Sequence, residues 1–272
     1  MRLTRLFFGA LAVGATATLA FVGNEGCSSD TFSANDAATG DGGDAGPRFC
    51  ASQTDATFCD DFDVEFDAAS PFDPRWLSLV VGGTLTRSND AVSAPGALVA
   101  SVGPAAGPTT ALLSYNANMG TARHLEIRAK VKIEPKCAGS LSGILTFTGS
   151  VGGIPVTAAL ITYPTSATGT TLALYTEAKF DGGKKQAAPG AVDVTLGSWT
   201  DVVFKLDFDA PQSDGGKGTN VLATYGGAPI LDLKGAESAA LSSPLMVIGT
   251  SADSPPGSCA IHYDDVVYFA TQ

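Results

Sequence analysis

The stretch Gly197 to Phe208, GSWTDVVFKLDF, decides the fold. Val202, Phe204, Leu206 and Phe208 recur at every second position, with Asp201, Lys205 and Asp207 between them. A period of two belongs to a strand with one face in the core and the other in water. Gly197 and Ser198 turn the chain into this strand, and Trp199 then falls at the sheet margin, where an indole can be half buried.

The same pattern spreads outward. In His124 to Glu134, HLEIRAKVKIE, Leu125, Ile127, Ala129, Val131 and Ile133 alternate with His124, Glu126, Arg128, Lys130, Lys132 and Glu134, which excludes a helix. Further runs rich in β-branched and apolar residues are Leu141 to Thr148, Pro155 to Tyr163, Thr170 to Phe180, Thr219 to Tyr225, Pro229 to Leu233, Leu245 to Gly249 and Ile261 to Phe269. Glycine-rich turns such as Gly152-Gly153, Asp181-Gly182-Gly183 and Asp214-Gly215-Gly216 separate them, and no amphipathic helix follows the N-terminal segment. Many short strands at this spacing predict an all-β, two-sheet antiparallel sandwich or jelly roll.

The N-terminus predicts export. Arg2 and Arg5 precede an apolar run from Leu6 to Val22, the order of a secretory signal. Gly26-Cys27-Ser28-Ser29 resembles the processing site of a bacterial lipoprotein, in which Cys27 takes the lipid, although Asn24 and Glu25 depart from the usual pattern and cleavage after Ala20 is the alternative. The expected organisation is a signal over residues 1–26, an acidic linker over 27–57 and the sandwich over 58–272. The linker, rich in Asp, Gly, Ala and Ser, has too little apolar surface to offset the entropy of ordering. Such a chain is expected at the cell envelope or surface, or else periplasmic or secreted.

Charge and cysteine count narrow the class. The formal charge of −11 becomes −12 once Arg2, Arg5 and Glu25 leave with the signal, and no basic stripe offers itself to nucleic acid. If Cys27 is lipidated, four cysteines remain, with three possible pairings. Cys137 follows one strand and Cys259 precedes another, so antiparallel neighbours would join those two and leave Cys50 with Cys59.

Four motifs carry a resemblance: Cys59-Asp60-Asp61-Phe62-Asp63, Ala94-Pro95-Gly96-Ala97-Leu98, Gly197-Ser198-Trp199 with its strand, and Tyr263-Asp264-Asp265-Val266-Val267-Tyr268. Together they resemble the concanavalin A-like lectin/glucanase superfamily, in its laminin G-like jelly-roll branch. The resemblance implies that the first and last strands lie together, and it admits sugar-binding modules, adhesion domains and glycosidases. The catalytic branch carries Glu-x-Asp-x-x-Glu along one strand. Neither Asp63-Val64-Glu65-Phe66-Asp67 nor Glu177 with Asp181 has the spacing that glycoside hydrolysis needs. Gly139-Ser140-Leu141-Ser142-Gly143 puts Leu141 where a serine nucleophile would stand, and His124 and His262 are expected to face solvent.

Two constellations are left as candidate sites. Paired terminal strands would crowd Asp60, Asp61 and Asp63 against Asp264 and Asp265. Asp265 would share a face with Ile261, Tyr263, Val267 and Phe269, and would either cap backbone amides or help hold a structural calcium. Tyr163, Tyr175 and Glu177 could form a sugar platform on a hairpin. The function expected is a non-catalytic, surface-tethered recognition module that binds glycan. A divergent glycan hydrolase or lyase and a protein-binding adhesive domain are the alternatives.

Overall fold

The computed structural model describes residues 49–63, 72–104, 108–138, 140–165, 169–176, 187–213, 215–235, 239–252 and 258–272. Cys27 and Glu177 lie outside them. The strands run in chain order as β1 (Phe58–Asp60), β2 (Leu77–Val81), β3 (Gly83–Ser88), β4 (Ala97–Val102), β5 (Thr109–Asn116), β6 (Thr121–Ala122), β7 (His124–Ile133) and β8 (Ser142–Val151). There follow β9 (Ile154–Pro164), β10 (Thr170–Thr176), β11 (Ala187–Asp193), β12 (Trp199–Pro211), β13 (Lys217–Tyr225), β14 (Ala228–Gly235), β15 (Leu241–Ala252) and β16 (Cys259–Thr271).

They form two antiparallel sheets. Sheet A has the order β14-β13-β12-β7-β16-β4-β3, with β1 paired to β16; sheet B has the order β11-β10-β9-β8-β15-β5-β2, with β6 paired to β15. The alternation read in the sequence becomes the inner face of sheet A, where Leu125, Ile127, Ala129, Val131 and Ile133 of β7 lie beside Val202, Phe204, Leu206 and Phe208 of β12, all buried. Across the core Phe147 of β8 stacks on Phe204, centroids 5.0 Å apart. Each fully buried side chain of this size contributes roughly 1.5–3 kcal/mol of transfer free energy. Gly152 and Gly153, at φ 58° and 79°, close the β8–β9 hairpin in a conformation that side chains with a Cβ resist.

The last strand sits in the middle of sheet A, between β7 and β4, and the first strand joins it at Phe58↔Tyr268 and Asp60↔Val266. Midway along β16 the register against β7 slips between Asp264 and Val267, and Asp265 takes φ 51°. This bulge corrects one expectation. The core face of β16 is Ile261, Tyr263, Val266, Tyr268 and Ala270, and Asp265 is turned out of it. A carboxylate facing the sandwich interior would be costly without a partner, and the extra residue re-aims the strand so that Val266 and Tyr268 fill those places.

The disulfides are Cys50–Cys59 and Cys137–Cys259. The second joins a short 3₁₀ turn after β7, Pro135–Cys137, to the start of β16. It closes a separation of 122 residues, against 9 for the first, so the chain-entropy account assigns them roughly 5 and roughly 3 kcal/mol. Cys137→Ser with Cys259→Ser is therefore expected to lower Tm by about 10 °C, and Cys50→Ser with Cys59→Ser by less. Differential scanning calorimetry of the two variants checks this order; equal losses contradict it.

Candidate functional site: the outer face of sheet B and the carboxylate corner

The two sheets differ sharply in charge. Strands β2, β5, β6, β8, β9, β10 and β15 contain no Asp, Glu, Lys, Arg or His, and in sheet B a charged residue appears only at the edge, Asp193 of β11. The outward positions of sheet B are therefore hydroxyl-bearing or apolar. Thr146, Thr148, Thr157, Ser114 and Ser251 are part-exposed, while Leu112 and Val247 are nearly covered. No carboxylate pair stands at the described outward positions of these strands, as acid-catalysed glycoside cleavage would need.

The register places the predicted tyrosines on this face. Tyr163 lies opposite Thr171, and Tyr175 opposite Ala159, so both project outward from the β9–β10 pair, four residues apart and hence about 13 Å along the strands. Between them Ala159, Ile161 and Ala173 form an apolar cluster separate from the core, against which Leu141 and Tyr175 pack. Tyr163 is 39% exposed and Tyr175 is half-buried. Glu177 is outside the described residues.

Sheet A turns ions outward instead. Lys130 pairs with Asp201 at 2.6 Å, Lys205 with Glu126 at 2.7 Å, and Arg128 also with Glu126. At one end of this face a cluster appears that the sequence reading missed. Trp199, Lys132 and His262 stand in one cross-strand row of β12, β7 and β16. The Trp199 Nε1–H donates to Asp90 at 3.3 Å, and its ring meets His262 edge-on at 6.0 Å. Asp90, Glu134 and His262 bring three ligand-type atoms within 4.8 Å of one another. Lys132 Nζ lies 2.5 Å from Asp90 and 3.4 Å from Glu134, so the cluster carries its own cation. His262, expected in solvent, is 8% exposed because Trp199, Glu134 and Lys132 close around it, and burial pushes its pKa down. His124 is exposed beside Asp207. The alternation HLEIRAKVKIE placed Lys132 and Glu134 outward, but no local signal brought Asp90 to them.

Pairing of β1 with β16 does gather the predicted aspartates, and each meets protein donors. Asp264, fully buried, accepts the backbone N–H groups of Val92 at 2.7 Å, Ser93 at 2.9 Å and Asp265 at 2.8 Å. The Ser93 hydroxyl lies 3.0 Å from Asp264 and 2.8 Å from Asp265. Asp60 accepts Phe62 N–H at 2.8 Å and the buried Trp76 indole N–H at 2.6 Å. Asp61 caps Cys50 and Asp63, and Asp63 accepts Gly96 N–H at 3.2 Å. The backbone cap on β16 is therefore Asp264, not Asp265. The carboxylates also feel one another: burial first, with Asp73 and Asp61 adding, pushes Asp60 up to about 6, and burial with Asp265 nearby pushes Asp264 up to about 6.

No family model and no curated protein matches the chain. Solved structures do. The cellulose-induced protein Cip1 is 13% identical with a TM-score of 0.54, covering 78% of this chain and 96% of that one. A glycoside hydrolase family 16 endo-glucanase from Bacteroides ovatus is 11% identical with a TM-score of 0.51, over 78% and 99%. A structure from work on endo-acting O-glycanases of the human gut microbiota is 11% identical with a TM-score of 0.51, over 80% and 100%. At these identities the likeness shows the fold alone, a two-sheet antiparallel jelly-roll sandwich.

Two measurements follow from the carboxylate corner. Asp60 and Asp264 have folded-state pKa values raised above the unfolded value of 3.8, so the folded state holds extra protons between about 4 and 6. The stability this gives is complete below the unfolded value and is lost as pH rises through about 6. Tm is thus expected to fall from about pH 4.5 to pH 7, with a shallower slope in Asp60→Asn; a slope that the variant leaves unchanged contradicts the assignment. Capping and a structural calcium at Asp60, Asp61, Asp63, Asp264 and Asp265 are separated by a second measurement. Because these oxygens already face protein donors, melts in Ca²⁺ and in chelator are expected to coincide, while a Ca²⁺-dependent rise of several degrees would establish the metal.

Proposed function

We propose that the domain is a non-catalytic glycan-recognition module, tethered to the cell surface, whose ligand lies on the outer face of sheet B. One observation carries the reading: the outward side of β8–β9–β10 combines an exposed Tyr163 with the part-exposed hydroxyls of Thr146, Thr148 and Thr157, set over a buried apolar layer of Ala159, Ile161 and Ala173, with no acid pair among the described residues. A sugar ring has apolar C–H faces and a hydroxyl rim, which such a surface can meet. The endo-glucanase and O-glycanase activities named for two structural neighbours support a glycan ligand. Placement in the laminin G-like branch rests on the sequence motifs. The tether follows from Cys27, and two disulfides fit an oxidising compartment. No helix among the described residues is long and apolar enough to cross a membrane.

A glycan array read together with a reducing-sugar assay tests the function. Binding without release of reducing ends is expected, with Tyr163→Ala weakening it about tenfold, roughly 1.4 kcal/mol. Released reducing ends without a new ultraviolet-absorbing double bond would make the protein a hydrolase, released ends accompanied by that unsaturation a lyase, and silence in binding and in both release assays would favour a protein ligand. For the tether, Cys27→Ser is expected to move the chain from the membrane to the soluble fraction; unchanged fractionation would contradict lipidation there.

A further inference from the structure

We propose that the outer face of sheet B is built for an uncharged polysaccharide, held as an extended chain across the strands. The inference rests on the glycan reading above and adds the class of ligand. A uronate or sulfated polymer brings an anionic group with each sugar or disaccharide, and recognising these takes guanidinium or ammonium donors set among the contacts. The strands β2, β5, β8, β9, β10 and β15 supply none, and the charged residue at the edge, Asp193, is acidic. The described cations of sheet A lie on the opposite side of the sandwich, and Lys130, Lys132, Lys205 and Arg128 are each engaged by a carboxylate there. With a formal charge of −11, the chain as a whole repels a polyanion.

What the face does offer suits neutral sugars. Threonine and serine hydroxyls both donate and accept, as sugar hydroxyls do, and Thr146, Thr148, Thr157, Ser114 and Ser251 present theirs part-exposed on this face. The outward positions run from β10 to β2 through β9, β8, β15 and β5, five inter-strand steps or about 24 Å, with the part-exposed hydroxyls of Thr157, Thr146, Thr148, Ser251 and Ser114 along the path and Ala173, Ala159, Val247 and Leu112 buried beneath them. At its β2 end Leu77, Leu79 and Val81 project outward, exposed and apolar. That span exceeds one sugar ring, so it fits a run of a polymer.

Affinity electrophoresis of the purified chain decides the matter, in gels carrying a neutral polymer (hydroxyethylcellulose, mixed-linkage β-glucan or galactomannan) or an anionic one (alginate or polygalacturonate), at low and high salt. Retardation by a neutral polymer is expected, independent of salt and about tenfold weaker in Tyr163→Ala, with none by the anionic polymers. Retardation by alginate or polygalacturonate that salt abolishes overturns the inference while leaving glycan binding intact. Lys179, Lys184 and Lys185 lie outside the described residues, and their triple alanine variant shows whether they supply that charge. Neutral-polymer binding that Tyr163→Ala leaves unchanged overturns the placement on this face. Retardation by no polymer at all removes the glycan reading itself, and this inference with it.

Discussion

The hydroxyl of Tyr263 crosses from the central strand of sheet A to the backbone of sheet B, 2.7 Å from the carbonyl oxygen of Gly249 and 2.9 Å from that of Ile144. It is fully buried, and burial pushes its phenol well above the ordinary range, so it acts as a fixed donor. A buried donor of this kind holds position because leaving it unmade costs about 1–3 kcal/mol. Its acceptor Gly249 has φ 126°, and a Cβ there would stand 2.2 Å from the carbonyl oxygen of Ala111, so only glycine lets β15 and β5 approach this closely. Tyr263 ties β16 to β8 and β15, and the disulfide at Cys259 ties the start of the same strand to the end of β7. With those strands fixed, the parity of every outward position on sheet B is fixed too, because a slip of one residue would exchange its two faces.

From that fixed parity comes the separation of charge. Sheet A carries paired ions outward, each exposed pair adding little stability but keeping the surface soluble and the strands in register. Sheet B carries no such pairs among its described residues, with Asp193 at its edge, and its outer side is left as apolar groups, large and exposed at Leu77, Leu79 and Val81, hydroxyls and an exposed tyrosine. On the proposed reading, a face with so little charge suits a hydroxylated polymer better than a folded protein with a charged rim. The carboxylate corner serves a different end. Asp60 and Asp264 fasten the 90s loop, Trp76 and the first strand to β16 through amide and indole donors separated by up to 172 residues.

The sequence revealed sheet A more fully than sheet B, for a physical reason. In β7 and β12 the wet face is charged and the dry face apolar, so a period of two is visible residue by residue. In β2, LSLVV, and β5, TTALLSYN, the outer face is itself apolar or hydroxylated, the contrast vanishes, and those strands, with β3, β4, β6 and β11, went unread. Both disulfide pairings followed from strand ends. The shared face of Tyr163 and Tyr175 followed from a hairpin. The identity of the capping aspartate did not, since it depends on a bulge that shifts parity at Asp265. Nor did the meeting of Asp90 with Trp199 and His262, which needs a loop far away in the chain. The absence of charge from whole strands could have been read, had the strands been placed first.

The most direct test of the central claim is an amide and methyl NMR titration of the isotope-labelled protein with a soluble, uncharged oligosaccharide such as a cello-oligosaccharide. Shifts confined to Thr146, Thr157, Ile161, Tyr163 and Val247, with Lys130, Lys205 and Asp201 unmoved, are the predicted result. Shifts centred on the ion-paired face of sheet A, with the residues of β8, β9 and β15 unmoved, would contradict the account.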